Sequence, residues 1–209
     1  MARTILLAIV GCLSVQAATI VYSDFGPGQT YFLAGYGIDT AEQPEIGAAF
    51  IPSATGSLSQ IDVPVSYFSA GSPPTHPLSI MISNDSGGLP GLSVLDSWTL
   101  PAGSVSGTPS IFSLLSTLHP SLNAGTQYWV VMSTTDFNGF AWYENSTGAM
   151  GWASNTGSGW TLSSGRKPAF DVIEGASAAV PEPSCAVMAC LALAALGLRR
   201  AVLGRRTAQ

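Results

Sequence analysis

From residue 18 to residue 173 no long stretch repeats its apolar residues with the helical period of about 3.6, and that absence sets the fold class. What recurs is a short run rich in Val, Ile, Thr and aromatic residues, closed at each end by Gly, Pro, Ser or Asn. A chain written this way is predicted to fold as a single all-β domain, an antiparallel β-sandwich of jelly-roll-like type. Ile61, Val63, Val65 and Tyr67 alternate with Asp62, Pro64 and Ser66, as a strand buried on one face must. Leu78, Ile80 and Ile82 repeat the pattern, and the nearly continuous run Gln127 to Met132 reads as a central strand. Strands are expected at about 18–23, 46–51, 58–68, 78–83, 93–100, 110–115, 127–134, 139–144, 149–153, 159–163 and 168–173.

Between strands the turn chemistry is explicit. Asn84-Asp85-Ser86-Gly87-Gly88-Leu89-Pro90-Gly91 joins residue types that tolerate positive φ to a Pro-Gly pair, which makes it a double reversal. A calcium loop would need alternating carboxylates, and this segment lacks them. Asn145-Ser146-Thr147 has the form of a glycosylation acceptor but reads as another turn.

Charge and cysteine usage narrow the function classes. Of twelve acids only Glu182 lies beyond residue 180, and of seven bases only Arg166 and Lys167 lie between residues 18 and 180, so this body carries eleven acids against two bases, a net charge of −9. Nucleic acid and anionic lipid headgroups are poor partners for such a surface. The three cysteines, Cys12, Cys185 and Cys190, all lie outside the body. The domain therefore has no disulfide, no thiol nucleophile and no cysteine-bound metal, and core burial has to stabilise it.

Both ends read as transport segments. Arg3, an apolar run from Ile5 to Val15 and the small-residue site Val15-Gln16-Ala17 form a secretory signal peptide over residues 1–17. Residues 174–180, with Gly and several Ala, read as a linker. Residues 181–209 then place Pro181-Glu182-Pro183, an uncharged run from Ser184 to Leu198, and the pairs Arg199-Arg200 and Arg205-Arg206 in unbroken order. At about 1.5 Å per residue the run from Cys185 to Leu198 reaches about 21 Å as a helix; continued through Leu203 it reaches about 29 Å, enough to span a membrane if Arg199 and Arg200 snorkel. The arginines favour the cytoplasmic side, which leaves the body outside.

This tail resembles a PEP-CTERM sorting signal. The resemblance implies export through the general secretion machinery, removal of the leader by signal peptidase, a pause in the inner membrane, and processing by exosortase at Pro181, Glu182 and Pro183, ahead of the Arg199-Arg200 stop. Delivery would be to the cell surface or extracellular polysaccharide matrix of a Gram-negative bacterium. The body is similar to the choice-of-anchor domains, closest to the R type, through Val21 to Gly28, Ser83 to Gly91 and Leu122 to Val131. That family implies an exported β-domain of unassigned activity and brings no catalytic residue; no cofactor and no metal are expected.

Catalytic patterns are sparse in the sequence. The only histidines, His76 and His119, each sit beside proline in loop-like surroundings, the serines form no Gly-x-Ser-x-Gly elbow, and there is no His-Glu-x-x-His helix. The acids are spread singly among turns rather than paired as in a glycosidase. Aromatic residues offer more. Trp142, Tyr143, Trp152 and Trp160 fall within about twenty residues and could stack on sugar faces, with Asn138, Glu144, Asn145, Asn155 and Thr156 nearby to hydrogen-bond; if residues 139–144 form a strand, Trp142 and Tyr143 point to opposite faces and one of them is core. Three classes follow: a non-catalytic surface protein that binds or helps build the extracellular polysaccharide matrix, a structural or adhesive module acting through protein contacts at exposed strand edges, and a secreted hydrolase. The first is the expectation.

Overall fold

The computed structural model describes residues 18–41, 43–67 and 72–175. They are all-β, with strands β1 (Thr19–Ser23), β2 (Tyr31–Ile38), β3 (Glu45–Phe50), β4 (Gly56–Tyr67), β5 (Leu78–Asp85), β6 (Pro90–Leu100), β7 (Ser110–Leu115), β8 (Ser121–Leu122), β9 (Tyr128–Thr134), β10 (Phe140–Asn145), β11 (Met150–Asn155), β12 (Trp160–Arg166) and β13 (Asp171–Gly175). The strand pairings are antiparallel and build two sheets. One has seven strands in the order β1-β13-β4-β10-β2, with β7 and β8 also pairing with β4; the second has six in the order β12-β11-β3-β9-β5-β6.

The alternation read from the sequence becomes the two inner faces. Ile61, Val63, Val65, Phe140, Trp142 and Val172 of the first sheet meet Ile46, Ala48, Phe50, Ile80, Ile82, Val130 and Met132 of the second in one buried cluster, so the sheets pack face to face as in a sandwich. Within this core Phe170 packs against Tyr22, Phe50 and Trp142.

All eleven expected strands are present, most displaced by one to three residues at their ends; residue 68 lies outside the described residues. Two further strands carry no signal strong enough to read. β2 (Tyr-Phe-Leu-Ala-Gly-Tyr-Gly-Ile) does not alternate and carries two glycines, which lower strand propensity. Gly35 is needed there because a Cβ would stand 2.8 Å from the Trp142 carbonyl oxygen on the paired strand β10. β8 is only two residues long.

The linker begins later than the sequence suggests. Glu174 and Gly175 continue β13 and pair with Leu58 and Ser57 of β4, and the Glu174 side chain is buried. The rest of the linker, the leader at 1–17 and the sorting segment 181–209 lie outside the described residues. Among the described residues no helix is long and apolar enough to cross a membrane.

Candidate groove on the six-stranded sheet

The outer face of the six-stranded sheet carries a polar row and an apolar row side by side. Strand register aligns Trp160 (β12), Asn155 (β11), Glu45 (β3), Ser133 (β9), Ser79 (β5) and Thr99 (β6) across the whole sheet. Two steps along the strands the same register aligns Leu162, Ala153, Gly47, Val131, Met81 and Ser97. Two recesses lie over these rows and share Glu45 and Asn155. The polar one, about 410 Å³, is lined by Pro44, Pro77, Ser79, Ser133, Thr134 and Thr135, while the more apolar one, about 270 Å³, is lined by Met81, Pro90, Leu92, Val94, Val131 and Trp160, with Ser83. Their sizes bracket the lower range of small-ligand sites.

Asn155 organises the junction. Its Nδ2 donates to Glu45 Oε2 at 2.7 Å, and its Oδ1 accepts from the N–H groups of Gly157 and Gly159 at 2.9 and 3.1 Å. Both glycines hold positive φ, 94° and 112°, which closes a tight reversal and delivers Trp160 to the start of β12. Trp160 packs on Trp129, Val131 and Ala153, leaving its ring half-buried. Gly47 makes room beneath it: a Cβ there would stand 3.0 Å from Pro90 Cγ, 3.3 Å from Trp129 Cε3 and 3.4 Å from Trp160 Cζ3. The Trp129 indole is held in turn by the reversal from Asn84 to Gly91, its Nε1 donating to Asp85 Oδ1 at 2.8 Å. Asp85 also accepts from Gln127 Nε2 and the Gly88 N–H; burial pushes its carboxyl up, and these three donors bring it below the usual carboxylate range. The turn is therefore tied by its own aspartate.

The four expected aromatic residues do not form one platform. Trp142 has no exposed surface, and its Nε1 donates to the Ala169 carbonyl at 2.8 Å within the core. Tyr143 does point to the opposite face, yet it is buried too, packed on Tyr31 and hydrogen-bonded through its hydroxyl to Ser66 Oγ at 2.8 Å. Trp152 is buried against Tyr36. Only Trp160 presents part of its ring to a recess, and of the expected polar neighbours only Asn155 joins it. Glu144 pairs with Arg166 at 3.5 Å, Asn145 is fully buried and closes the 145–149 turn by accepting from the Gly148 and Ala149 N–H groups, and the Asn138 N–H donates to Asp136. Glu45, Ser79 and Ser133 carry no signal of their own, because nothing in a single sequence states which residues of distant strands stand opposite one another.

The histidines are occupied in ways that differ from a catalytic triad. His119 donates its Nδ1–H to the Leu58 carbonyl at 3.0 Å, while nearby Ser116 donates directly to Asp96 with no imidazole between them. His76 Nδ1 lies 3.2 Å from Asp136 Oδ2, the same oxygen that accepts from the backbone N–H groups of Thr75 and His76. Burial works to raise the Asp136 carboxyl, but these donors and the Asn138 N–H hold it far below the usual range, so it remains an acceptor that pins a loop.

No family model matches the sequence, and no curated protein resembles it significantly.

Proposed function

We propose that the chain is an exported, non-catalytic surface protein that binds extracellular polysaccharide along the outer face of its six-stranded sheet. In this reading the general secretion machinery and signal peptidase bring out residues 18–209, exosortase processes the segment at Pro181-Glu182-Pro183, and a jelly-roll-like body reaches the cell surface or matrix. The observation that carries the binding assignment is the row Trp160–Asn155–Glu45–Ser133–Ser79. An aromatic wall, a carboxylate and a file of hydroxyls along one open groove suit an extended, hydroxyl-rich, uncharged polymer. Neither recess has Lys or Arg in its lining, which fits a neutral ligand rather than an acidic one.

Trp160→Ala tests the groove. Retention of the purified protein on matrix polysaccharide should fall at least about tenfold, as for a central aromatic anchor. Stability should fall by no more than about 2 kcal/mol, because part of the ring is already exposed. Full retention by a folded variant would remove the groove from the account. Export is tested separately by fractionating producing cells: the body should be recovered outside the inner membrane without residues 184–209, and intact protein held in that membrane of an exosortase-positive host would refute the sorting assignment.

A second reading has one observation in its favour. β2 lies at the edge of the seven-stranded sheet with Phe32 and Leu33 exposed and with neither charge nor proline along its eight residues, an edge open to strand addition by another protein.

A further inference from the structure

Resting on the groove assignment, we infer that the recess between Trp160 and Pro90 is an acyl pocket, which takes an acetyl substituent of the glycan with its methyl on Met81 and Val131 and its carbonyl accepting from the Ser83 hydroxyl. Ser83 is the anomaly that leads there. It lines the apolar recess, only 1 % of its surface is exposed, and its Oγ has no hydrogen-bond partner. A buried hydroxyl without a partner is costly, and such groups in folded proteins are few. This one faces a recess whose other walls are mainly apolar side chains, so the ligand group that completes it has to bring one hydrogen-bonding atom next to apolar atoms.

An acetyl group has that pairing: a carbonyl oxygen and a methyl on the same carbon. A bare sugar hydroxyl could also pair with Ser83, but it would bring no apolar group to the Met81, Val131 and Val94 walls. A carboxylate would accept as well, yet it would enter a recess without a cation on a body of net charge −9. An ammonium could donate to the Ser83 oxygen, but it would set a strongly hydrated charge against the apolar walls. The adjoining row of Glu45, Ser133 and Ser79 then meets the ring hydroxyls of the polymer, and the acyl pocket sets which decorated residue lies in register with it. The link to the sugar can be an amide or an ester, since the pocket sees the carbonyl and methyl common to both.

The test uses two matched pairs of probes on the purified protein: the trisaccharide of β-1,4-linked N-acetylglucosamine against its deacetylated form, and an O-acetylated xylo-oligosaccharide against the same material after mild alkali. At least one acetylated member should bind about tenfold or more tightly than its twin, the size of effect expected from one methyl and one satisfied buried donor. Preference in the first pair alone identifies an amide-linked acetyl, and in the second alone an ester. Ser83→Ala should abolish the preference while leaving thermal unfolding unchanged or slightly raised, because the hydroxyl it removes is unpartnered. Equal or absent binding of both acetylated probes overturns the inference, as does a Ser83→Ala protein that keeps the preference. Should Trp160→Ala still abolish matrix retention in that case, the groove assignment stands and only the acyl pocket falls.

Discussion

The two outer faces of the sandwich begin from the same design and end differently. On the seven-stranded sheet, register sets Ser23, Asp171, Asp62 and Ser113 in one polar row, much as it sets Asn155, Glu45, Ser133 and Ser79 on the other sheet. The two carboxylates at the centre of the first row are sealed, while Ser23 and Ser113 at its ends stay exposed. A loop from Asp24 to Thr30 folds over it, Phe25 packs on Tyr31 and Tyr31 on Tyr143, and Gln29 Nε2 reaches Asp62 Oδ2 at 3.2 Å and Asp171 Oδ2 at 3.4 Å. The second row has no such cover among the described residues and remains a groove. A polar row across a sheet is thus either an internal hydrogen-bond network or a binding surface, and one short loop makes the difference.

Sealing has an electrostatic consequence. Burial pushes the Asp171 carboxyl above the usual range, and the Asp62 carboxylate opposite pushes the same way, against hydrogen bonds from Ser23 and Gln29. At the root of the loop Asp24 Oδ2 lies 3.3 Å from Lys167 Nζ, with both side chains buried. Burial raises Asp24 to about 6 and lowers Lys167, each in spite of the other's charge. Asp24 also accepts from the Phe170 N–H at 2.7 Å and from the Tyr22 hydroxyl, and Lys167 also donates to the Tyr22 hydroxyl and to the Ala49 carbonyl, which links the loop to the second sheet.

The sharpest way to break the contrast is to unfasten the sealed face. Asp24→Ala leaves the Lys167 ammonium buried without a counter-charge, and the loss in unfolding free energy should be about 3–5 kcal/mol by denaturant titration. A second change, Lys167→Met, should restore much of it; if the single variant costs less than about 1 kcal/mol, the pair does not fasten the loop. Asp171→Asn is the next test and has the opposite sign. It removes a buried charge and keeps a group that can hydrogen-bond Ser23 and Gln29, so stability at pH 7 should rise by about 1 kcal/mol. Its pH dependence follows from the raised folded-state values of Asp171 and Asp24. Their stabilising contribution is complete below about pH 4, where unfolded carboxyls protonate, and is lost as pH rises through the folded-state range, about 6 for Asp24. The decline between pH 4 and 6 should therefore be shallower in Asp171→Asn than in the unaltered protein. On the open face effects on folding should be smallest: Leu92→Ser, at a fully exposed rim position, should change stability by less than about 0.5 kcal/mol yet weaken polysaccharide retention roughly two- to fivefold. A large stability loss there would mean the rim is structural.

Much of the scaffold is legible because period-two alternation is a local signal. Ile61-Val63-Val65 and Leu78-Ile80-Ile82 declare their buried faces, and both lie on inner faces. β2 is not legible, since its conformation depends on Gly35 meeting a carbonyl of a strand about a hundred residues later in the chain. The aromatic cluster shows the same limit from the other side. Alternation correctly separates Trp142 from Tyr143, but it cannot foresee that the 24–31 segment covers the second face as well.

The amino-acid sequence alone determined the all-β class, most of the strands and the acidic, cysteine-free body, because these rest on neighbouring residues and on composition. Only tertiary structure decided that Trp160 rather than Trp142 faces a recess, that Glu45 stands beside Asn155, and that Ser83 is left without a partner. Cross-strand register joins residues more than a hundred positions apart, and that register is fixed by how two sheets fill one core.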